Sequence, residues 1–248
     1  MRSTTGIKMF RTMKDNSNKV IQFICDEKEL DYFPKPTPAS KHIPDWYKKL
    51  PTHVNNQKVY AEGNANQTVK KCMPVFDAMT AGYIITLPCD VFVSRDAQGA
   101  PSFTWPIQTK MVTSHPHEQA STFTIPKGYG PEFLKWFNPW IVKVPDGWSV
   151  LFTQPMHRDD LPFSILPGIV DADHFKLSVQ FPFLLQSGFE GVISAGTPVA
   201  QIIPFKRAEW TAEYSSLEPQ QKVKNLESHS VFFENRYKKT FWNKKVFK

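Results

Sequence analysis

Between Thr68 and Phe205 the chain is a succession of short apolar runs: TVKKCMPVF, GYIITLPCDVFVS, SFTWPI, ASTFTI, WIVKV, WSVLFTQP, FKLSVQFPFLL, GVISA and VAQIIPF. Turn-forming stretches such as DAQGAP, PDG and SAGTP separate them. Glycine and proline there supply backbone angles that neither a helix nor a strand interior accepts. The alternation in YIITL and FKLSVQF has the period of two that puts one face of a strand on a core. The 21 prolines set against 11 glycines, with 20 phenylalanines, argue further against a helical bundle, because proline breaks helix interiors. The expectation is a mainly β protein whose core is an antiparallel barrel or sandwich.

The flanks read differently. VIQFIC, residues 20–25, is a short strand, and DYFPKPTPASKHIPDWYKKLP is a proline-punctuated loop leading into a helix from about Pro44 to Lys49. After Phe205 the composition turns helix-forming. The chain therefore divides into an N-terminal extension (1–67), a β domain (68–207) and a helical, basic and aromatic C-terminal arm (208–248).

With 248 residues and 41% hydrophobic content the chain can bury a sizeable core. No apolar run approaches the ~20 residues of a membrane span, and MRSTTGIKMFRTMKDNSNK lacks the apolar centre of a secretory signal. A cytosolic protein with no membrane partner is expected. Cys25, Cys72 and Cys89 are odd in number with no CxxC spacing, which predicts reduced thiols. Cys72 and Cys89 show no neighbouring histidine or helix start in the sequence that would activate them as nucleophiles. Much of the net charge of +7 lies in NRYKKTFWNKKVFK. Lysines interleaved with aromatics can grip a nucleic-acid backbone and stack on bases. The favoured reading is an arm whose rings pack on protein, docking across a subunit boundary in a homo-oligomer.

GIVDADHF poses the sharpest functional question. Asp171 and Asp173 fall on one face of an extended chain, where two carboxylates repel. Either they cap a turn through their own backbone, or water or a cationic partner relieves them, or one has a raised proton affinity and works as acid or base. TAGYIITLPCDVFV and VPDGWSVLFTQP precede this stretch, and AGTPVAQIIPF follows it about 25 residues on. In that order the four segments resemble the dUTPase and dCTP-deaminase superfamily over roughly Thr80 to Phe205. The resemblance implies a dUTPase-like barrel, a GIVDAD hairpin with VAQIIPF as a central strand beside it, and a homotrimer. It also implies a water-activating or orienting role for Asp171. Asp173, His174 and Phe175 would then stand near the ligand, an aromatic ring lying against the sugar, and Gln201 would match the glutamine of the family's final strand. The departures are specific: Ile84 replaces the aspartate of the first motif, TQPMHRDD replaces the Arg-Ser-Gly turn, and no glycine-rich arm follows Phe205. Triphosphate hydrolysis needs donors and usually Mg²⁺ around the leaving group, so a non-catalytic relative without a cofactor is expected.

A second resemblance runs through IPDWYKKLP and VKKCMPVFDAMTAGYIITLPCDVFV, which are similar to an uncharacterised family encoded by tailed bacteriophages of the kind that infect marine cyanobacteria. It implies a phage protein, in the host cytoplasm or the virion.

Two alternatives use other chemistry. The first is an enzyme acting on a nucleotide or small anionic ligand with Asp171 as acid or base. The second is an Fe(II)/2-oxoglutarate-type oxygenase in which His157 and Asp159 form an HxD pair, His229 completes a divalent-metal triad and Arg236 anchors a cosubstrate. SHPHEQ adds an HxH pair, His115 and His117 beside Glu118, as a further metal-type cluster.

Overall fold

The structure, a computed structural model, describes residues 19–58, 60–61, 64–218 and 237–248. In its first third lie β1 (Gln22–Ile24), α1 (Glu27–Leu30), β2 (Thr37–Pro38), α2 (Asp45–Lys49), β3 (Tyr60–Ala61), β4 (Asn64–Ala65) and α3 (Met73–Thr80). There follow β5 (Tyr83–Thr86), β6 (Val91–Arg95), β7 (Pro101–Thr104), β8 (Val112–Ser114), β9 (Leu134–Trp136) and β10 (Ile141–Lys143). The last strands are β11 (Trp148–Thr153), β12 (Phe163–Ile165), β13 (Gly168–Val170), β14 (Phe181–Leu185), β15 (Gly191–Ile193) and β16 (Pro198–Lys206).

The protein is mainly β, and every pairing among the described strands is antiparallel. The central sheet runs β13–β11–β16–β5–β2, a second runs β12–β14–β9–β8, and a third runs β15–β6–β7. β1 pairs with β10 and β3 with β4. β16 is the hub: it pairs with β11 from Trp148↔Lys206 to Thr153↔Gln201, and with β5 on its other side. Its first five residues are all buried, as a strand covered on both faces requires.

The sheets share one core. Trp136, fully buried, stacks on Phe183 at 4.4 Å between ring centroids, and Phe163 meets both rings edge-on. Phe103, at the end of the third sheet, meets Phe183 at 6.5 Å and ties that sheet to the second. Burying each such ring contributes about 1.5–3 kcal/mol. Phe33 from the N-terminal extension belongs to the same core, and Phe23 and Phe247 pack against it. The described part of residues 1–67 also supplies β2 to the central sheet.

Several expected strands are absent, for local reasons. TVKKCMPVF forms a 3₁₀ turn over Val69–Lys71 and then α3, in which Pro74 occupies the first helical turn, where its missing N–H costs nothing. ASTFTI is loop, with Phe123 exposed. FKLSVQFPFLL becomes a strand only from Phe181, and in the preceding loop Phe175 and Leu177 both face solvent. GIVDAD is not a hairpin. It is β13 followed by a turn closed by Phe175 N–H donating to Asp171 O at 2.9 Å. β11 stands between β13 and β16, so the GIVDAD and VAQIIPF strands are not neighbours.

Gly82, between α3 and β5, takes φ +70°, and a Cβ there would stand 1.8 Å from the Ile202 carbonyl oxygen. Only glycine lets the chain turn this close to β16.

The expected helical C-terminal arm is not seen in its described parts. Residues 208–218 have no regular structure, and 237–248 contain one π-type turn in which Trp242 N–H donates to Tyr237 O at 2.8 Å. This second piece docks on its own chain. Trp242 Nε1 donates to both Asp77 carboxylate oxygens at 3.0 and 2.9 Å, and Lys245 Nζ lies 2.6 Å from Asp77. Phe247 meets Tyr83 edge-on, and the Tyr83 hydroxyl donates to the Lys248 main-chain oxygen at 3.0 Å. The expectation that these rings need a neighbouring subunit is thereby corrected for Trp242 and Phe247: α3 and β5 supply the partner surface.

Candidate functional site

The turn after β13 brings Asp171, Asp173, His174 and Phe175 together at one end of the central sheet. Opposite them the PDG turn leads into β11, with Gly147 at φ +80° and Trp148 N–H donating to Pro145 O at 3.2 Å. β16 ends beside that turn, where Arg207 N–H donates to Gly147 O at 2.9 Å. The ladder thus delivers the Arg207 side chain to the two carboxylates.

Arg207 is the cation that the sequence left unidentified. Its Nη1 lies 3.2 Å from Asp171 Oδ1, 3.0 Å from Asp173 Oδ1, 3.0 Å from Ser149 Oγ and 2.9 Å from Trp148 O, four acceptors sharing two N–H groups. Its Nη2 donates to Asp173 Oδ2 in a short hydrogen bond, which completes a forked guanidinium–carboxylate pair. Gly147 N–H also donates to Asp173 Oδ2 at 2.9 Å, and Ser149 Oγ donates to Asp171 Oδ1 at 2.6 Å. His174 Nε2 approaches Asp173 Oδ2 at 3.6 Å.

The two carboxylates have different exposures and different tasks. The Asp173 side chain is 0% exposed, whereas that of Asp171 is 61% exposed. Hydrogen bonds from the Arg207 guanidinium, followed by that from Gly147 N–H, hold the Asp173 carboxyl well below the usual carboxylate range against the cost of its burial. Asp173 in turn pushes the Arg207 guanidinium up. Asp173 therefore stays ionised at neutral pH, and its lone pairs are spent inside the protein. Ser149, 1% exposed, cannot meet a substrate as a nucleophile. Asp171 faces outward onto a shallow apolar groove that it lines with Ile169, Val170, His174, Phe175 and Val179.

Gln201 does not join this cluster. In the β11–β16 ladder Gln201 pairs with Thr153, four residues and roughly 14 Å along β11 from Ser149. Fully buried, it accepts from Met156 N–H at 2.9 Å and donates through Nε2 to Ala78 O at 2.8 Å and Ala81 O at 2.7 Å. Those carbonyls lie at the C-terminus of α3, where a helix has no partners of its own for its last acceptors. Gln201 caps α3 and ties it to the central sheet.

The metal-type residues are dispersed. His157, with φ +61°, and Asp159 lie exposed on a loop where Arg158 makes a forked pair with Asp160 at 2.7 and 2.9 Å. The carbonyl of His157 accepts from Trp46 Nε1 at 3.0 Å. His115 Nδ1 stands 2.6 Å from Gln119 Oε1 after β8; the His117 side chain, His229 and Arg236 lie outside what the structure describes. Among the described residues no three His, Cys, Asp or Glu side chains converge on one point.

A larger cleft of about 790 Å³ opens nearby, lined by Val20, Ile21, Tyr83, Trp148, Pro204 and Phe247. Its walls are mainly apolar. Among the described residues no helix is long and apolar enough to cross a membrane. No protein-family model, no curated protein and no solved structure matches the chain.

Proposed function

We propose that this chain is a non-catalytic interaction or structural component of a tailed bacteriophage, a degenerate dUTPase-like β scaffold that works as a homo-oligomer in the host cytoplasm or the virion. The observation that carries the reading is the saturation of Asp173 by Arg207 and Gly147 N–H, which commits the most buried carboxylate among the described residues to fastening β13, β11 and β16 together. A catalyst brings a nucleophile, a base and oxyanion donors to one accessible point. Here Ser149 is buried, Asp173 is fully engaged and Gln201 is a helix cap. The phage setting rests on the likeness of the IPDWYKKLP and VKKCMPVFDAMTAGYIITLPCDVFV segments to the tailed-phage family. The second reading, an enzyme for a nucleotide or small anionic ligand, is favoured by the exposure of Asp171 at the apolar groove.

A thermal-shift series with dUTP, dCTP, 2-oxoglutarate and divalent metals separates the two readings. A ligand present at 100 times its Kd stabilises by about 2.7 kcal/mol, a rise of roughly 5–10 °C for a chain of this size. No shift and no pyrophosphate release are expected. A rise of that size, or turnover with Mg²⁺ that disappears in Asp171→Asn, overturns the proposal.

A further inference from the structure

The segment AEWTAEYSSLE, residues 208–218, leaves the central sheet beside the carboxylate cluster and carries its large side chains in solvent: Trp210 is 91% exposed and Tyr214 95%, with Leu217 also exposed. Trp, Tyr and Leu stand at i, i+4 and i+7, the spacing of one face of a helix. An isolated helix of this length is unstable in water, which accounts for the absence of regular structure here despite helix-forming composition. The segment also contains Glu209, Glu213 and Glu218 and no cation, a net charge of −3 on a chain of net +7.

The apolar groove at β13 is complementary to this arm. Ile169 and Phe175 are exposed along it, and the loop that borders it carries His174 and Lys176. The carboxylate lining it, Asp171, is paired with Arg207. Arg207 is also the residue from which the arm departs, so the root of the arm and the groove occupy one edge of the molecule. A two-fold axis at that edge lets two copies exchange arms, each closing the other's groove.

We infer that residues 208–218 of one copy dock in the Ile169–Phe175 groove of a second copy, and that this arm exchange forms the homo-oligomer. The inference rests on the reading of the chain as an interaction component and names its partner. Each aromatic ring buries about 150–250 Å², so one arm with its leucine offers on the order of 500 Å². Two arms offer on the order of 1,000 Å², which reaches the smaller specific interfaces once the groove surface they cover is added.

Sedimentation velocity on the full chain tests this, with circular dichroism as the control for folding. The wild type sediments as a dimer. Trp210→Ala/Tyr214→Ala, which removes the arm's rings, and Ile169→Glu, which sets a like charge against the arm's glutamates, each weaken association by roughly 30-fold or more. Both changes are at exposed positions. A 1:1 mixture of the two variants restores one of the two arm–groove contacts, since the arm of the groove variant fits the groove of the arm variant, and so associates more tightly than either variant alone. A wild type that stays monomeric, folded variants that keep the wild-type size, or a mixture that associates no more tightly than the separate variants overturns arm exchange. Any of those results without a ligand-induced thermal shift leaves the non-catalytic reading standing, whereas a ligand shift in a dimer that the variants dissociate removes that reading and leaves arm exchange intact.

Discussion

Replacing Gln201 by leucine separates a structural role from a ligand-binding one. Leucine is close to glutamine in volume, so the cavity cost is small and the effect is that of three lost hydrogen bonds. Met156 N–H, Ala78 O and Ala81 O lose partners at 2.9, 2.8 and 2.7 Å in a region where Gln201 itself has no solvent contact. A buried polar group left unpaired costs about 1–3 kcal/mol, and because Met156, Ala78 and Ala81 are half-buried, Gln201→Leu should destabilise by about 2–4 kcal/mol. That is a large share of the 5–15 kcal/mol that typically stabilises a domain. Gln201→Glu keeps an acceptor for Met156 but turns a carboxylate onto two carbonyl oxygens. It should be at least as destabilising at neutral pH and partly recover in mild acid, where a protonated carboxyl regains one donor. Urea unfolding followed by tryptophan fluorescence gives both numbers. A Gln201→Leu protein within 1 kcal/mol of the wild type would refute the clamp, and accompanying loss of a nucleotide-induced thermal shift would restore Gln201 as a ligand contact.

Two further outcomes are expected. The Asp173 carboxyl is held below its usual 3.8 in the folded protein, so on acidification the unfolded chain takes up that proton first. Its stabilising contribution is complete well above that value and drains away as pH falls through it toward the lower folded-state value, and chemical denaturation at stepped pH should show a shallower acid dependence in Asp173→Asn. Trp242→Ala removes the bifurcated hydrogen bond from the single indole N–H to Asp77 and should lower stability by about 2 kcal/mol while leaving the sedimentation coefficient unchanged; a change of oligomeric state would mean that this part of the arm also reaches a neighbouring copy.

The β class was legible because short apolar runs between turn signals, such as VFVSR and WSVLFT, do become strands with buried Val91, Val93, Val150 and Phe152. In FKLSVQF alternation misleads: the turn at Asp171 leaves the loop without a partner strand, and Phe175 and Leu177 stay outside. Pairing, which sequence periodicity does not report, decides whether an alternating run becomes a strand. TVKKCMPVF misleads in another way, since Pro74 starts a helix that a short apolar run cannot announce. At the site, like-charge repulsion between Asp171 and Asp173 left a turn cap, solvation, a cation and a raised proton affinity all open, and the sequence did not single out Arg207. Arg207 is 34 residues beyond Asp173 and reaches it only because β16 pairs with β11 in one register. Gln201 could be singled out as a polar residue in an apolar strand, whereas its partners in α3 depend on a helix the local pattern did not reveal.

The placement of β16 also governs the order in which this molecule can be made. β5 and β11 are translated well before Pro198–Lys206, yet neither touches the other in the finished sheet except through that strand. A nascent chain can pair β5 with β2 and β11 with β13, but each of β5 and β11 keeps its other edge open until nearly the whole β region has left the ribosome, and Arg207 emerges just after the strand it secures. Folding is thus held back to a late, cooperative closing step that depends on contacts distant in sequence. Such a step is slow and prone to aggregation at high expression, and it favours growth at reduced temperature or a chaperone that shields the half-built sheet.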